Sequence, residues 1–187
     1  MARLVAIDQL GGPAFVDELR RIWDAGDAAF PVDQRLPSVA RADLCGAMRV
    51  GDDVDAGDAL VVATSGSTGV PKGVVLTHDA VAASAAATSA ALEVGPDDHW
   101  LACLPLSHVG GLSVITRALL TSTTLTVLPG FDAAAVMAAA DTGATLVSLV
   151  PTALGRIDPA RFRRIVLGGS RPPRDRPPNT VATYGMT

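Results

Sequence analysis

The only lysine of the chain, Lys72, closes a run of small and hydroxylated residues, Thr64-Ser65-Gly66-Ser67-Thr68-Gly69-Val70-Pro71-Lys72-Gly73. The run directly follows the apolar stretch Ala59-Leu60-Val61-Val62-Ala63, and all other side-chain cations are arginine or histidine. A compact ammonium on a flexible stem can follow a moving phosphate oxygen, whereas a planar guanidinium imposes its own fork. The surrounding Gly, Ser and Thr let backbone amides and hydroxyls converge on an anion. The segment therefore reads as a polyphosphate-binding loop. By composition alone a flexible linker fits as well; the strand before it and the Pro-Lys-Gly ending favour the loop. The phosphate loop of nucleotide hydrolases needs Gly before its lysine and Ser or Thr after it, but Pro71 and Gly73 occupy those places. Val74-Val75-Leu76 reads as extended, and the next helix starts only at Thr77, an N-cap with Asp79 in its first turn. A helix N-terminus is thus not what would hold the phosphates.

Composition narrows the classes further. The chain has 187 residues, enough for one large or two small domains; it is 49% hydrophobic, 18% charged and carries a net charge of −4. That excludes a disordered chain and leaves no basic footprint for nucleic acid. Cys45 and Cys103 are isolated and read as buried thiols in a reducing compartment. His78, His99 and His108 have no metal spacing; His78 falls at a helix start and His99 in an exposed acidic loop. The N-terminus lacks a signal-peptide pattern, and no apolar tract is long enough to span a membrane, since Arg117 interrupts the run after Gly111. These features lead to the expectation of a cytoplasmic protein.

Apolar periodicity then places the elements. Phe15, Leu19, Ile22 and Trp23 recur at helical spacing behind Pro13, and 28–32 and 38–48 read as a short strand and a helix capped by Ser38. Residues 51–58 form an acidic, glycine-dotted connection with solvated carboxylates. From Ala59 onward strands at 59–64, 100–104, 124–128, 145–150, 164–167 and 181–184 alternate with helices at 77–92, 110–121, 132–142 and 151–157. Strands made of continuous Val/Leu runs predict a mostly parallel sheet flanked by helices on both faces, an α/β fold. Residues 1–58 form a lead segment and 59–187 the α/β part. In such sheets ligands gather beyond the carboxyl ends of strands. Here those ends carry the Thr64–Gly73 loop, Pro105-Leu106-Ser107-His108-Val109-Gly110-Gly111-Leu112, Val150-Pro151-Thr152, Gly168-Gly169-Ser170 and Tyr184-Gly185-Met186-Thr187. Four of these five are rich in glycine or hydroxyl groups.

These segments, in this order, resemble the adenylate-forming superfamily of acyl-CoA synthetases, peptide-synthetase adenylation domains and luciferases. The Thr64–Gly73 loop matches its phosphate signature, and Tyr184-Gly185-Met186-Thr187 matches its second signature. Within the superfamily, Leu104-Pro105-Leu106-Ser107-His108-Val109-Gly110-Gly111-Leu112 is similar to the o-succinylbenzoate–CoA ligases of menaquinone biosynthesis. The resemblance covers essentially the whole chain. It implies a two-step reaction in which a carboxylic acid takes AMP from ATP, releasing pyrophosphate, and the coenzyme A thiol then displaces AMP.

By that resemblance Thr64, Ser65, Ser67, Thr68 and Lys72 hold the β- and γ-phosphates, with Gly66 and Gly69 allowing close approach. Gly168, Gly169 and Ser170 line the adenine site, with Tyr184 against the purine and Gly185, Met186 and Thr187 leading to the α-phosphate. The family places the His108 position beside the acyl pocket; the alternative is a histidine satisfied by the backbone near a turn. Ser148, Val150, Pro151 and Thr152 shape that pocket or form a plain strand-to-helix junction. Arg171, Arg174 and Arg176 read as a solvated loop, with binding of phosphate or coenzyme A as the alternative. The family's Mg²⁺-holding glutamate, ribose-binding aspartate and small C-terminal domain have no counterpart in these residues. The expectation is a partial N-terminal domain, from an ATP- and Mg²⁺-dependent ligase or, alternatively, a noncatalytic nucleotide-binding module or remnant.

Overall fold

The computed structural model describes residues 1–64 and 71–184. Pro13 opens α1 (Pro13–Asp24), where its missing N–H is no loss, and Phe15, Leu19 and Ile22 bury one stripe of that helix. The stripe packs on β1 (Leu4–Ile7) and β2 (Ala28–Pro31). Two further strands, β3 (Asp58–Thr64) and β4 (Lys72–Thr77), complete a sheet ordered β1-β2-β3-β4. The first three strands run parallel and β4 returns antiparallel. The lead segment therefore shares a sheet with the residues that flank positions 65–70. Between β2 and β3, α2 (Ser38–Ala47) departs from expectation at its start: Pro37 is the N-cap and gives no side-chain bond. Ser38 is already helical, so its hydroxyl cannot serve as the cap.

Thr77 caps α3 (His78–Ala91) by accepting from the Ala80 N–H at 3.2 Å. There follow β5 (His99–Ala102), α4 (Val109–Thr121), β6 (Thr124–Val127), α5 (Ala133–Asp141), β7 (Leu146–Leu149), α6 (Pro151–Leu154), β8 (Arg164–Leu167) and β9 (Thr180–Ala182). The helix expected over 151–157 stops after one turn, at Gly155. The second sheet is wholly parallel, in the order β6-β5-β7-β8-β9. Its two faces explain the unbroken apolar runs. Trp100, Ala102, Leu146 and Val166 enter one core with α4 and α1, whereas Leu101, Val147, Ile165 and Leu167 enter another with Val136 and Ala139 of α5.

Between the sheets, α3 lies on β3 and β4, α4 on β5, β6 and β7, and the two helices pack on one another. Small residues permit this close stack. A Cβ at Gly111 would sit 2.4 Å from the Pro105 carbonyl oxygen and 2.6 Å from that of Leu104. Only glycine lets the first turn of α4 press onto the loop that leaves β5.

At the amino ends of the second sheet, Asp98 is buried. Its carboxylate accepts from Arg163 Nε at 2.8 Å, Thr145 Oγ1 at 2.7 Å and the Gly95 N–H at 2.9 Å. Arg163 in turn donates to the carbonyls of Leu92 and Glu93, each at 3.2 Å. One ionic cluster thus ties the end of α3 to the starts of β5, β7 and β8. His99, expected in an exposed loop, begins β5 instead, and its Nε2 lies 2.8 Å from Thr126 Oγ1. Burial pushes its imidazole pKa down.

Burial pushes the Asp98 carboxyl up, but the bonds from Arg163, Gly95 and Thr145 outweigh it and hold the group below the usual carboxylate range. Its stabilisation is therefore complete above the unfolded carboxylate pKa of about 3.9 and is lost as pH falls through the lower folded value. Asp98→Ala should cost about 3 kcal/mol in urea unfolding at neutral pH, because Arg163 is left without its partner. The loss should shrink as pH drops below about 4.

Candidate active site

The strand order reverses direction at β5: the chain first steps to β6 on one side, then crosses to β7 on the other. Loops leaving β5 and β7 diverge there and open a crevice at the carboxyl ends. A cleft of about 420 Å³ occupies that position. His108 and Gly111 border it after β5, Ser148 and Val150 along β7, and Gly168 and Gly169 after β8. The two glycines are needed where they stand. Gly169 has φ +80°, a conformation that side chains rarely adopt, and a Cβ there would meet Val150 Cγ1 at 3.0 Å.

Sequence reasoning missed the most unusual group in this cleft. Arg117 lies on α4, is 6% exposed and lines the cavity. Its Nη2 donates to Ser113 Oγ at 2.6 Å, and the guanidinium sits 4.9 Å from the Trp100 ring centroid. Nη1 has no partner, and no carboxylate pairs with Arg117 among the described residues. Burial pushes its pKa down to about 10, so it stays protonated at neutral pH. Ser148 Oγ, also bordering the cleft, is buried and unpartnered as well. A buried cation with an idle N–H carries a desolvation penalty that an anionic partner would relieve. The sequence offered one signal, the single charge within the helix Val109–Thr121.

His108 is exposed and caps α4 with its backbone: its carbonyl accepts from the N–H groups of Gly111 and Leu112 at 3.1 and 3.0 Å. Its ring meets Arg35, as Nη2 lies 2.9 Å from His108 Nε2. Thr64 and Lys72 face each other across β3 and β4, where Thr64 Oγ1 donates to the Lys72 carbonyl at 3.2 Å. The ammonium therefore starts a strand at the root of the loop and is exposed. Ser65, Gly66, Ser67, Thr68 and Gly69, like Gly185, Met186 and Thr187, lie outside the described residues. Ser170 and Tyr184 are exposed and do not line the cleft, and Arg171, Arg174 and Arg176 are exposed too. The structure thus brings His108, Ser148, Val150, Gly168 and Gly169 together around Arg117.

Residues 16–187 match the family described as AMP-binding enzyme. The chain belongs to that family. It is 36% identical over 143 residues to the 2-succinylbenzoate–CoA ligase of Bacillus anthracis, a match covering 68% of this chain and 30% of the relative. Among solved structures it is similar to o-succinylbenzoate CoA synthetase (MenE) from Bacillus subtilis in complex with the acyl-adenylate intermediate OSB-AMP. That likeness has a TM-score of 0.80 and 22% identity, over 91% of this chain and 44% of the other. The Bacillus subtilis enzyme in complex with ATP and magnesium ion gives a TM-score of 0.75 and 22% identity, over 90% and 44%. The chain thus spans less than half the length of these relatives.

Among the described residues no group of three or more His, Cys, Asp or Glu side chains is placed to hold a metal ion. No helix among them is long and apolar enough to cross a membrane. Arg117→Met keeps the length and apolar stem of the side chain while removing the unpaired charge. It should leave stability unchanged or raise it by about 1 kcal/mol in urea unfolding; a loss above about 2 kcal/mol would mean that the guanidinium serves the fold rather than a ligand.

Proposed function

We propose that the chain forms the acid- and nucleotide-binding part of an ATP-dependent, AMP-forming acid–CoA ligase whose acid is o-succinylbenzoate. The observation that carries this reading is the idle Nη1 of Arg117 in the cleft that His108 borders. This acid bears two carboxylates, an aromatic ring and a ketone. One carboxylate reacts; the other survives both steps and, once desolvated, needs a fixed cation. An acid with a single carboxylate would leave Arg117 unanswered. The names of the relatives point to the same acid.

In the first step a carboxylate oxygen attacks the α-phosphorus of ATP, the bond to the bridging oxygen breaks, and pyrophosphate leaves with that electron pair. Lys72 and the hydroxyls of Thr64, Ser65, Ser67 and Thr68 neutralise the charge that gathers on the departing β- and γ-phosphates. Gly66 and Gly69 let backbone amides reach them. Gly168, Gly169, Ser170 and Tyr184 seat the adenine, and Gly185, Met186 and Thr187 border the α-phosphate. In the second step the sulfur of coenzyme A attacks the acyl carbon, AMP leaves, and the thiol proton passes to solvent. Throughout, the side chains orient and balance charge, which is where most of the barrier lowering arises in such transfers.

Calorimetry with o-succinylbenzoate, benzoate and ATP tests this assignment. The chain should bind o-succinylbenzoate about 100-fold more tightly than benzoate, the expected yield of a desolvated charge pair. Arg117→Met should erase that preference and leave ATP binding intact. Equal affinity for the two acids would remove the case for a dicarboxylate.

A further inference from the structure

Arg35 touches the cleft through one contact only, the 2.9 Å approach of Nη2 to His108 Nε2. A guanidinium has five N–H donors and no acceptor. At that distance the imidazole nitrogen must accept, so Nε2 carries its lone pair and Nδ1 carries the proton of the neutral ring. Arg35 itself is held firmly. Asp33 Oδ1 takes its Nε at 2.8 Å and Oδ2 takes its Nη2 at 2.6 Å, and the Arg35 backbone N–H adds a third bond to Oδ1 at 3.0 Å. The Leu36 N–H closes a turn onto the Asp33 carbonyl at 3.1 Å. Although 60% of the Arg35 side chain faces solvent, 83% of the Asp33 side chain that grips it does not, since only 17% is exposed. A bidentate fork of this kind fixes direction as well as charge.

The two partners come from different sheets. Asp33 and Arg35 follow β2 in the first, and His108 follows β5 in the second. Arg35 borders a separate cavity of about 330 Å³ together with Ser107, and it does not line the cleft that His108 borders. Nδ1 has no hydrogen-bond partner among the described residues, and His108 itself borders that cleft.

We infer that Arg35, clamped by Asp33, is a positioning residue that fixes His108 as its Nδ1–H tautomer, so that the cleft meets a hydrogen-bond donor and not a base. The inference builds on the proposed function, because the donor's natural partner there is a carboxylate or ketone oxygen of the acid. It also removes His108 from general-base duty. Its lone pair is engaged by a cation, and the carboxylate nucleophile of the first step has no proton to give up.

Long-range proton–nitrogen spectra of the chain labelled with ¹⁵N-histidine test this directly, recorded above the ordinary imidazole pKa of about 6.5. His108→Gln identifies the His108 signals by their loss. The expected wild-type pattern is a protonated Nδ1 and a bare Nε2 at His108. Arg35→Met should release the ring toward the Nε2–H form, and Arg35→Lys, which keeps a cationic donor, should retain the wild-type pattern. A wild-type ring protonated at Nε2, or an Arg35→Met spectrum identical to wild type, overturns the inference. Calorimetry adds the functional side: Arg35→Met should weaken o-succinylbenzoate binding roughly 3- to 10-fold, the worth of one hydrogen bond, with ATP affinity unchanged and Arg35→Lys restoring the acid. If the wild-type chain binds no such acid, the proposed substrate fails while the tautomer stands or falls on its own spectrum.

Discussion

A single positive charge is taken out of water on α4 and has no negative partner among the described residues. Arg117 is desolvated between Trp100 and the cleft, with one hydroxyl for company. Folding alone gives no reason to keep it. Replacing an unmatched buried ion with apolar bulk is neutral or favourable in most cores, and α4 is otherwise apolar on the side that meets the second sheet. Such a group persists where a ligand completes the pair. The helix also delivers it to the one place where a parallel sheet of this order opens, between the diverging ends of β5 and β7.

The same sheet treats its two ends in opposite ways. At the amino ends Asp98 and Arg163 satisfy each other, the Gly95 N–H and the carbonyls of Leu92 and Glu93. At the carboxyl ends polar atoms stay unmatched, with Arg117 Nη1 and Ser148 Oγ both idle. Glycines serve the second end by bringing backbone close: Gly111 against the Pro105 carbonyl, Gly168 against Thr183 and Gly169 against Val150.

The legible part of the fold was the part written in local signals. Unbroken Val/Leu runs announced a sheet covered on both faces, and Thr77 marked a helix start by its side chain. The less legible part depended on partners distant in sequence. β1 is four residues long and pairs with β2 across a helix, so its short apolar run was not read as a strand. His99 looked exposed because it follows two aspartates, but Thr126 and Thr145, brought in by neighbouring strands, bury it at the head of β5. In the site, motif residues such as His108, Gly168 and Gly169 were found by their setting at strand ends. Arg117 and Arg35 were not: Arg117 showed only as the single charge of α4, and nothing in the spacing of Arg35 reveals that it reaches across 73 positions to a histidine. Segments 65–70 and 185–187, which carry most of the family resemblance, lie outside the described residues.

The most direct measurement is a crystal structure of the chain soaked with o-succinylbenzoate. The account predicts a carboxylate oxygen of the acid within hydrogen-bonding distance of Arg117 Nη1, between the loops that leave β5 and β7. An acid bound elsewhere, or an Arg117 that reaches an internal carboxylate instead, would contradict it.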